Sequence, residues 1–171
     1  EPQGHYFNRD IPHYNFNPAG PLHAQIGALA GLQEYFETLY GHHFDEAQPG
    51  FHARAARVFA LFTEYETVQA DRILEAVKAI RGSRIIGQNQ AMTGSRAPTI
   101  SITLAGMSSA EAVKRLVKRD ISILNGHFYA RRCIEALGIK DPEDGVIRIS
   151  LVHYNSEEDV SRLVEALGEL A

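Results

Sequence analysis

The sequence has 171 residues, of which 44% are hydrophobic and 22% are charged, with 17 basic and 21 acidic side chains. This length and composition predict an ordinary globular chain with a buried core, and they exclude a disordered, collagen-like or disulfide-scaffolded protein. The formal net charge of -4 argues against binding to nucleic acid or to an anionic membrane surface.

The cysteine content and the absence of long apolar runs indicate the compartment. Cys133 is the single cysteine, so no intrachain disulfide can form, and we expect a reducing compartment, the cytoplasm. No segment resembles a signal peptide or reaches the roughly 18 apolar residues of a membrane-spanning helix. The chain opens on Glu1 with a loop-like segment, and we expect it to be part of a longer polypeptide.

Residues 1–48 are expected to form an extended arm followed by a long interdomain helix. Four prolines before residue 22 block a helix or a central strand, and the arm carries aromatic side chains that need a docking surface. An apolar period of helical spacing then runs from Leu22 to Leu39, with Gly41 as its expected end. Gly27 and Gly31 in this helix either admit another backbone closely or are merely tolerated.

Residues 49–171 are expected to form an α+β small domain. A second helical period covers 51–80, with an interruption near Thr67. Beyond it, strands are predicted at 83–86, 99–104, 121–124 and 146–151, and helices at 108–119, 128–137 and 156–170. This order predicts an α/β fold with a short mixed, mainly antiparallel sheet and helices on one face.

Most motifs with a known chemical mechanism are absent, since there is no phosphate loop, dinucleotide-binding glycine motif, HExxH or GxSxG. A metal site could be assembled from His42, His43, Asp45 and His52, but adjacent histidines diverge unless the backbone bends. The favoured interpretation is a solvated loop, and we predict no metal site. Cys133 is either a thiol activated by its cationic neighbours or a half-buried helical residue, the interpretation we favour.

Two segments are better candidates for a functional site. A predicted strand ends at Asn125-Gly126-His127, so a turn would present His127 and Tyr129 near the start of a helix. Arg148 lies within an otherwise apolar strand, where its planar guanidinium needs an anionic partner and matches a carboxylate. That partner could equally be one of the chain's own acidic residues, in a structural ion pair.

Three segments together resemble class V aminotransferases of pyridoxal-phosphate (PLP) fold type I, and more narrowly the cysteine-desulfurase-like branch. They are RISLVHYNSEEDVSRLVEAL at the end, the strand-GHFYA-helix segment before it, and NPAGPLHAQIGALAGLQEYF near the start. What matches is the C-terminal part of such an enzyme. The resemblance therefore implies the C-terminal small domain of a PLP-dependent enzyme.

The resemblance also implies roles for individual residues. In the family, an arginine of the late strand holds the α-carboxylate of a small amino-acid substrate, and it falls on Arg148 here. Desulfurases place a persulfide-forming cysteine where this chain has Tyr129, which argues against the usual sulfur transfer. His127 and Tyr129 would line the substrate side. A family threonine that binds the cofactor phosphate falls near Gly20, whose backbone N–H would be the remaining donor.

The same resemblance implies a homodimer whose cofactor is PLP, and it shows what this chain lacks. The family's cofactor-linking lysine follows a histidine, whereas none of the four lysines here does so. Without that lysine the chain alone would be inactive, and the cofactor would not be bound covalently to it. The alternative hypothesis is a non-enzymatic amino-acid-binding or regulatory α+β module that uses Arg148 without a cofactor.

Overall fold

The computed structural model describes residues 10, 21–92, 94 and 96–170. The predicted aromatic arm and Gly20 lie outside the described residues. The chain divides into two compact units, residues 1–59 and residues 60–171.

The first unit contains helix α1, His23–His43, and the beginning of helix α2, Phe51–Ala79. Helix α1 continues two residues past Gly41, where the sequence predicts its end, because the helical bonding runs on until Phe44 donates to the Tyr40 carbonyl. Arg54 of α2 donates two bonds of 2.6 Å to the Glu37 carboxylate of α1 and one of 2.9 Å to the Gln48 carbonyl in the loop between the helices. This bidentate pair holds the pKa of Glu37 below its ordinary value.

Most of the predicted apolar face of α1 is exposed within the described structure. Only Phe36 and Tyr40 are buried on this helix, and the Phe36 ring lies 4.9 Å from that of Phe59. A Cβ atom added at Gly27 or Gly31 would meet nothing within 4 Å among the described residues. The exposed apolar side chains are those of Leu22, Ile26, Leu29, Leu32 and Tyr35.

Helix α2 is continuous over its 29 residues, so the predicted interruption near Thr67 is wrong. The Thr67 hydroxyl donates to the Thr63 carbonyl at 2.6 Å, and this bond within the helix satisfies its polar group. None of the described helices combines the length and the apolar character needed to cross a membrane.

The second unit is built on a four-stranded antiparallel sheet with strand order β1-β2-β4-β3. In chain order the strands are β1 Ser83–Ile86, β2 Thr99–Leu104, β3 Leu124–Gly126 and β4 Val146–Ser150. The predicted α+β fold and antiparallel pairing are confirmed. A single parallel bridge joins Gly126 to Gly145, just before β4 begins.

Strand alternation places the core on one face of this sheet. Ile100 and Ile102 of β2 pair with Ile149 and Ile147 of β4, and all four side chains are buried. Helix α3, Ser109–Val117, adds Ala112 and Leu116 to the same cluster. The cluster is completed by the second half of α2 and by helix α5, Glu157–Gly168.

Two element boundaries differ from the sequence prediction. The third strand is predicted at 121–124 but pairs with β4 only over Leu124–Gly126. Ile121 and Ile123 pack against the core without joining the ladder of hydrogen-bonded strands. Their apolar character therefore reflects burial rather than strand pairing. The helix predicted at 128–137 is the shorter α4, Arg131–Ala136.

The start of α5 carries a pH-dependent contribution to stability. Ser156 and Asp159 form the predicted capping box: the Ser156 backbone donates to the Asp159 carboxylate at 3.0 Å, and the Asp159 backbone donates to the Ser156 hydroxyl at 3.1 Å. Hydrogen bonding to the Asp159 carboxylate from the Ser156 backbone and side chain, together with the Arg162 guanidinium, holds the pKa of Asp159 below its ordinary value.

We predict that this contribution is present above about pH 4, the usual pKa of an unfolded aspartate, and is lost as the pH falls through the lower pKa of the folded state. The free energy of unfolding of Asp159→Asn should therefore lie below that of the parent at pH 7 and converge with it in acid. Urea unfolding across this pH range measures the difference. An equal difference at pH 7 and in strong acid would contradict the assignment.

Candidate functional site

The candidate site is the face of the sheet opposite the core, around Arg148, and it lies wholly within residues 60–171. Arg148 stands between the buried Ile147 and Ile149, so the alternation of β4 places its side chain on the other face. Its cross-strand neighbours are Ser101 on β2 and Leu124 on β3. Arg148 is exposed, and neither of these neighbours carries a charge.

The Arg148 guanidinium lies over an aromatic ring rather than beside a carboxylate. Its Cζ atom is 3.8 Å from the centroid of the Phe128 ring, the contact distance of a cation–π interaction. Within residues 21–92, 94 and 96–170 it has no hydrogen-bond or ion-pair partner. A structural ion pair, the other possibility raised by the sequence, is therefore wrong for the part of the chain described.

Phe128 reaches this position because the chain makes a left-handed turn after β3. Phe128 and Tyr129 have φ angles of 47° and 62°, in a backbone region that residues other than glycine rarely adopt. Two hydrogen bonds close the turn: Tyr129 N–H donates to His127 Nδ1 at 3.1 Å, and Ala130 N–H donates to the His127 carbonyl at 2.8 Å. The helix predicted from Phe128 consequently begins three residues later.

The two other predicted site residues lie in the same turn and differ in exposure. His127 is half-buried, and its Nε2 atom lies 3.8 Å from the Glu143 carboxylate. Because Nδ1 accepts the Tyr129 bond, a proton on neutral His127 belongs on Nε2. The Tyr129 side chain is fully exposed, at 103% of its reference area. The structure thus places Arg148 against this turn through Phe128.

Glu143, which lies beside His127 of the turn, is engaged by a different arginine. Arg131, the first residue of α4, donates to Glu135 at 3.1 Å and also pairs with Glu143. Bonds to Glu135 and Glu143 raise the pKa of Arg131 above its ordinary value. Arg131 therefore occupies both carboxylates, and Arg148 has no acidic partner in the described structure.

The loop before β4 fixes the other side of the turn. The Asp144 carboxylate accepts the backbone N–H groups of Ser109 and Ala110, at 2.7 and 2.8 Å, and so caps the start of α3. The Asp144 carbonyl accepts the Asn125 side-chain amide at 2.9 Å. These bonds tie the end of β3 to the start of β4, the strand that carries Arg148.

Two other sites considered from the sequence receive no support. Cys133 lies on α4 and is exposed, so its predicted half-burial is wrong. The His42 and His43 rings are 4.8 Å apart and nearly perpendicular. Among the residues that the structure describes, no group of three or more His, Cys, Asp or Glu side chains could hold a metal ion.

Sequence reasoning missed Phe128 as a site residue. Phe128 could have been considered because Arg148 needs an interaction partner, and an aromatic face can serve as one as well as an acidic side chain can. The Asp144-Gly145 dipeptide is typical of tight turns, so the sequence also indicated the turn that leads into β4.

Comparison with known proteins identifies the family. The family model described as aminotransferase class-V matches residues 54–163, more than half of the chain. The aminotransferase-like protein FGM3 of Gibberella zeae is 29% identical over 154 residues, covering 89% of this chain and 37% of that protein. A probable cysteine desulfurase of Vibrio cholerae is 29% identical over 93 residues, covering 54% of this chain and 21% of that protein.

Solved structures share the fold. A NifS-like protein from Rickettsia africae aligns with a TM-score of 0.56 at 20% identity, covering 69% of this chain and 31% of that one. The apo cysteine desulfurase of Thermococcus onnurineus aligns with a TM-score of 0.57 at 21% identity, covering 70% of this chain and 29% of that one. The chain spans little more than a third of the Gibberella relative. With more than half of its length matched by the family model, the chain belongs to the class V aminotransferase family.

Proposed function

We propose that this chain is the C-terminal small domain of a PLP-dependent class V enzyme acting on a small amino acid, and that Arg148 binds the substrate α-carboxylate. The observation that carries the proposal is the exposed guanidinium of Arg148, which has no acidic partner among the described residues. A buried or paired arginine would have to break a bond before it could accept a carboxylate. Arg148 has its planar N–H fork available for a bidentate interaction.

The surroundings of Arg148 support a small, polar ligand. Ser101 lies opposite it on β2, and Ser150, two residues along β4, is on the same face. Leu124 supplies an apolar neighbour from β3. His127 and Tyr129 line the substrate side in this proposal, with the Nε2 atom of neutral His127 as a hydrogen-bond donor on the edge of the turn.

The four lysines do not fit a covalent PLP site. Lys78 is paired with Glu75 at 2.6 Å, and this lysine and the others, Lys114, Lys118 and Lys140, are exposed. A lysine that forms a covalent bond with an aldehyde must be deprotonated, which exposure to water disfavours. We propose that the chain alone is inactive.

The remaining features follow the family relationship. We propose a cytoplasmic homodimer, with PLP bound in the complete protein and Gly20 near its phosphate. Tyr129, in the turn where desulfurases carry their cysteine, argues against persulfide formation there, and Cys133 lies beyond the turn on α4. A different reaction at the amino acid is therefore favoured.

Substitution of Arg148 tests the proposal. In the complete natural protein, Arg148→Ala should weaken binding of L-alanine by about tenfold to a hundredfold, because charge-assisted hydrogen bonds to the carboxylate are lost. L-Alaninamide, which lacks the carboxylate, should bind both proteins equally. Arg115→Ala, which removes an exposed arginine paired with Glu111 on α3, is the matched control. Unchanged L-alanine affinity in Arg148→Ala, measured by calorimetry, would refute the proposal.

The second candidate is a cofactor-free amino-acid-binding module, which the guanidinium of Arg148, without an acidic partner among the described residues, would serve equally well. Both candidates use Arg148, so the cofactor distinguishes them. A complete protein that is yellow and loses its colour with borohydride supports the enzyme. A colourless protein that still binds L-alanine through Arg148 supports the module.

A further inference from the structure

We propose that Phe128 is a positioning residue for the carboxylate-binding guanidinium: its ring holds the face of Arg148 and leaves the N–H edge of the guanidinium open to substrate. The inference rests on the proposed function of Arg148. Phe128 makes no hydrogen bond within the part of the chain that the structure describes, and the sequence patterns did not single it out.

The geometry of the contact is suited to this role. At 3.8 Å from the ring centroid, the guanidinium carbon is in van der Waals contact with the aromatic face. The hydrogen bonds of a guanidinium lie in its own plane, whereas a cation–π contact uses its face. The two interactions are therefore compatible, and a carboxylate could bind the edge while the ring remains in place.

An aromatic partner differs from an acidic one in its effect on substrate. A carboxylate of the protein would neutralise Arg148 and compete directly with the substrate carboxylate for the same N–H groups. The ring orients the cation and leaves its charge intact. Ser101 and Leu124, directly across the sheet from Arg148, are also uncharged, so neither can form an ion pair with it.

The backbone around Phe128 is held in an unusual conformation that serves this contact. Phe128 and Tyr129 are consecutive residues with positive φ, and such conformations persist where the surrounding structure imposes them. His127 closes the turn through both its ring nitrogen and its carbonyl. The turn places the Phe128 ring against Arg148 of β4.

Arg131 completes the arrangement by holding the nearby acids. It pairs with Glu143 and Glu135, and Glu143 also lies near His127. Glu143 is thereby kept in an ion pair beside the turn. Arg148, on the open face of the sheet, contacts the Phe128 ring.

The test compares Phe128→Leu with Phe128→Tyr in the complete natural protein. Leucine removes the aromatic face, so the Arg148 side chain must be ordered when the ligand binds, and L-alanine binding should weaken by about fivefold, the usual cost of immobilising one flexible side chain. Tyrosine keeps the face and should restore the affinity. Binding of L-alaninamide should be the same in all three proteins. The Arg148 Nε–H resonance reports the contact independently, because the ring-current shift should vanish with leucine and return with tyrosine.

A shape-matched replacement guards against misfolding of the leucine variant. Pentafluorophenylalanine at position 128 keeps a similar shape but reverses the charge distribution of the ring, so it too should weaken L-alanine binding. Parental affinity with this residue, together with loss in Arg148→Ala, would overturn the role of Phe128 and leave the proposed function standing. Parental affinity in Arg148→Ala itself would overturn the proposed function.

Discussion

Gly145→Ala is expected to lower the free energy of unfolding by about 3 kcal/mol or more, because the new methyl group has no room. A Cβ atom at Gly145 would lie 2.2 Å from both the carbonyl carbon and the oxygen of Gly126. These are backbone atoms, so rotation of a side chain cannot relieve the contact. The ends of β3 and β4 would have to separate.

A second glycine isolates the effect of this contact from that of backbone conformation. Like Gly145, whose φ is 59°, Gly138 has a positive φ, of 73°, but a Cβ added there would meet nothing within 4 Å among the described residues. Gly138→Ala should therefore cost only about 1 kcal/mol, the usual cost of a left-handed residue. Urea unfolding of both variants measures the difference, and equal destabilisation would contradict the close approach of Gly145 to Gly126.

Ile147→Ala is expected to lower the free energy of unfolding by about 3 kcal/mol, because apolar burial is lost and a cavity is left. Ile147 is completely buried on β4, an inner strand of the sheet, and its cross-strand partner Ile102 is also completely buried. Little of the surrounding packing can collapse into the space, because strands lie on both sides.

The matched control for Ile147 lies on the opposite face of the same sheet. Leu124 on β3 is 64% exposed, so Leu124→Ala should cost less than about 1 kcal/mol. Thermal or urea unfolding gives both values. A small loss for Ile147→Ala, or a large one for Leu124→Ala, would reverse the assignment of core and open faces on which the location of the site depends.

The sequence predicted those features that depend on local patterns. Alternation in VIRIS predicted β4 and the isolation of Arg148 from its apolar neighbours, and Ser156 with Asp159 predicted the start of α5. Each signal acts within a few residues of the chain, through side-chain alternation or capping.

Features fixed by tertiary contacts were not predictable in this way. Ile121 and Ile123 are apolar because they pack against the core, and nothing in their pattern separates burial from pairing with β4. The left-handed turn at Phe128 has no glycine or asparagine at its positive-φ positions, so a helical start was the natural expectation. The turn brings the Phe128 ring into contact with Arg148, which lies 20 residues further along the chain.

The central claim is that Arg148 binds a carboxylate on the open face of the sheet, and a crystal structure of the complete natural protein with L-alanine tests it most directly. We predict that two guanidinium nitrogens of Arg148 lie about 2.8 Å from the carboxylate oxygens, with Phe128 still against the guanidinium face. A carboxylate bound elsewhere, with Arg148 paired to an acidic side chain of the protein, would contradict the account.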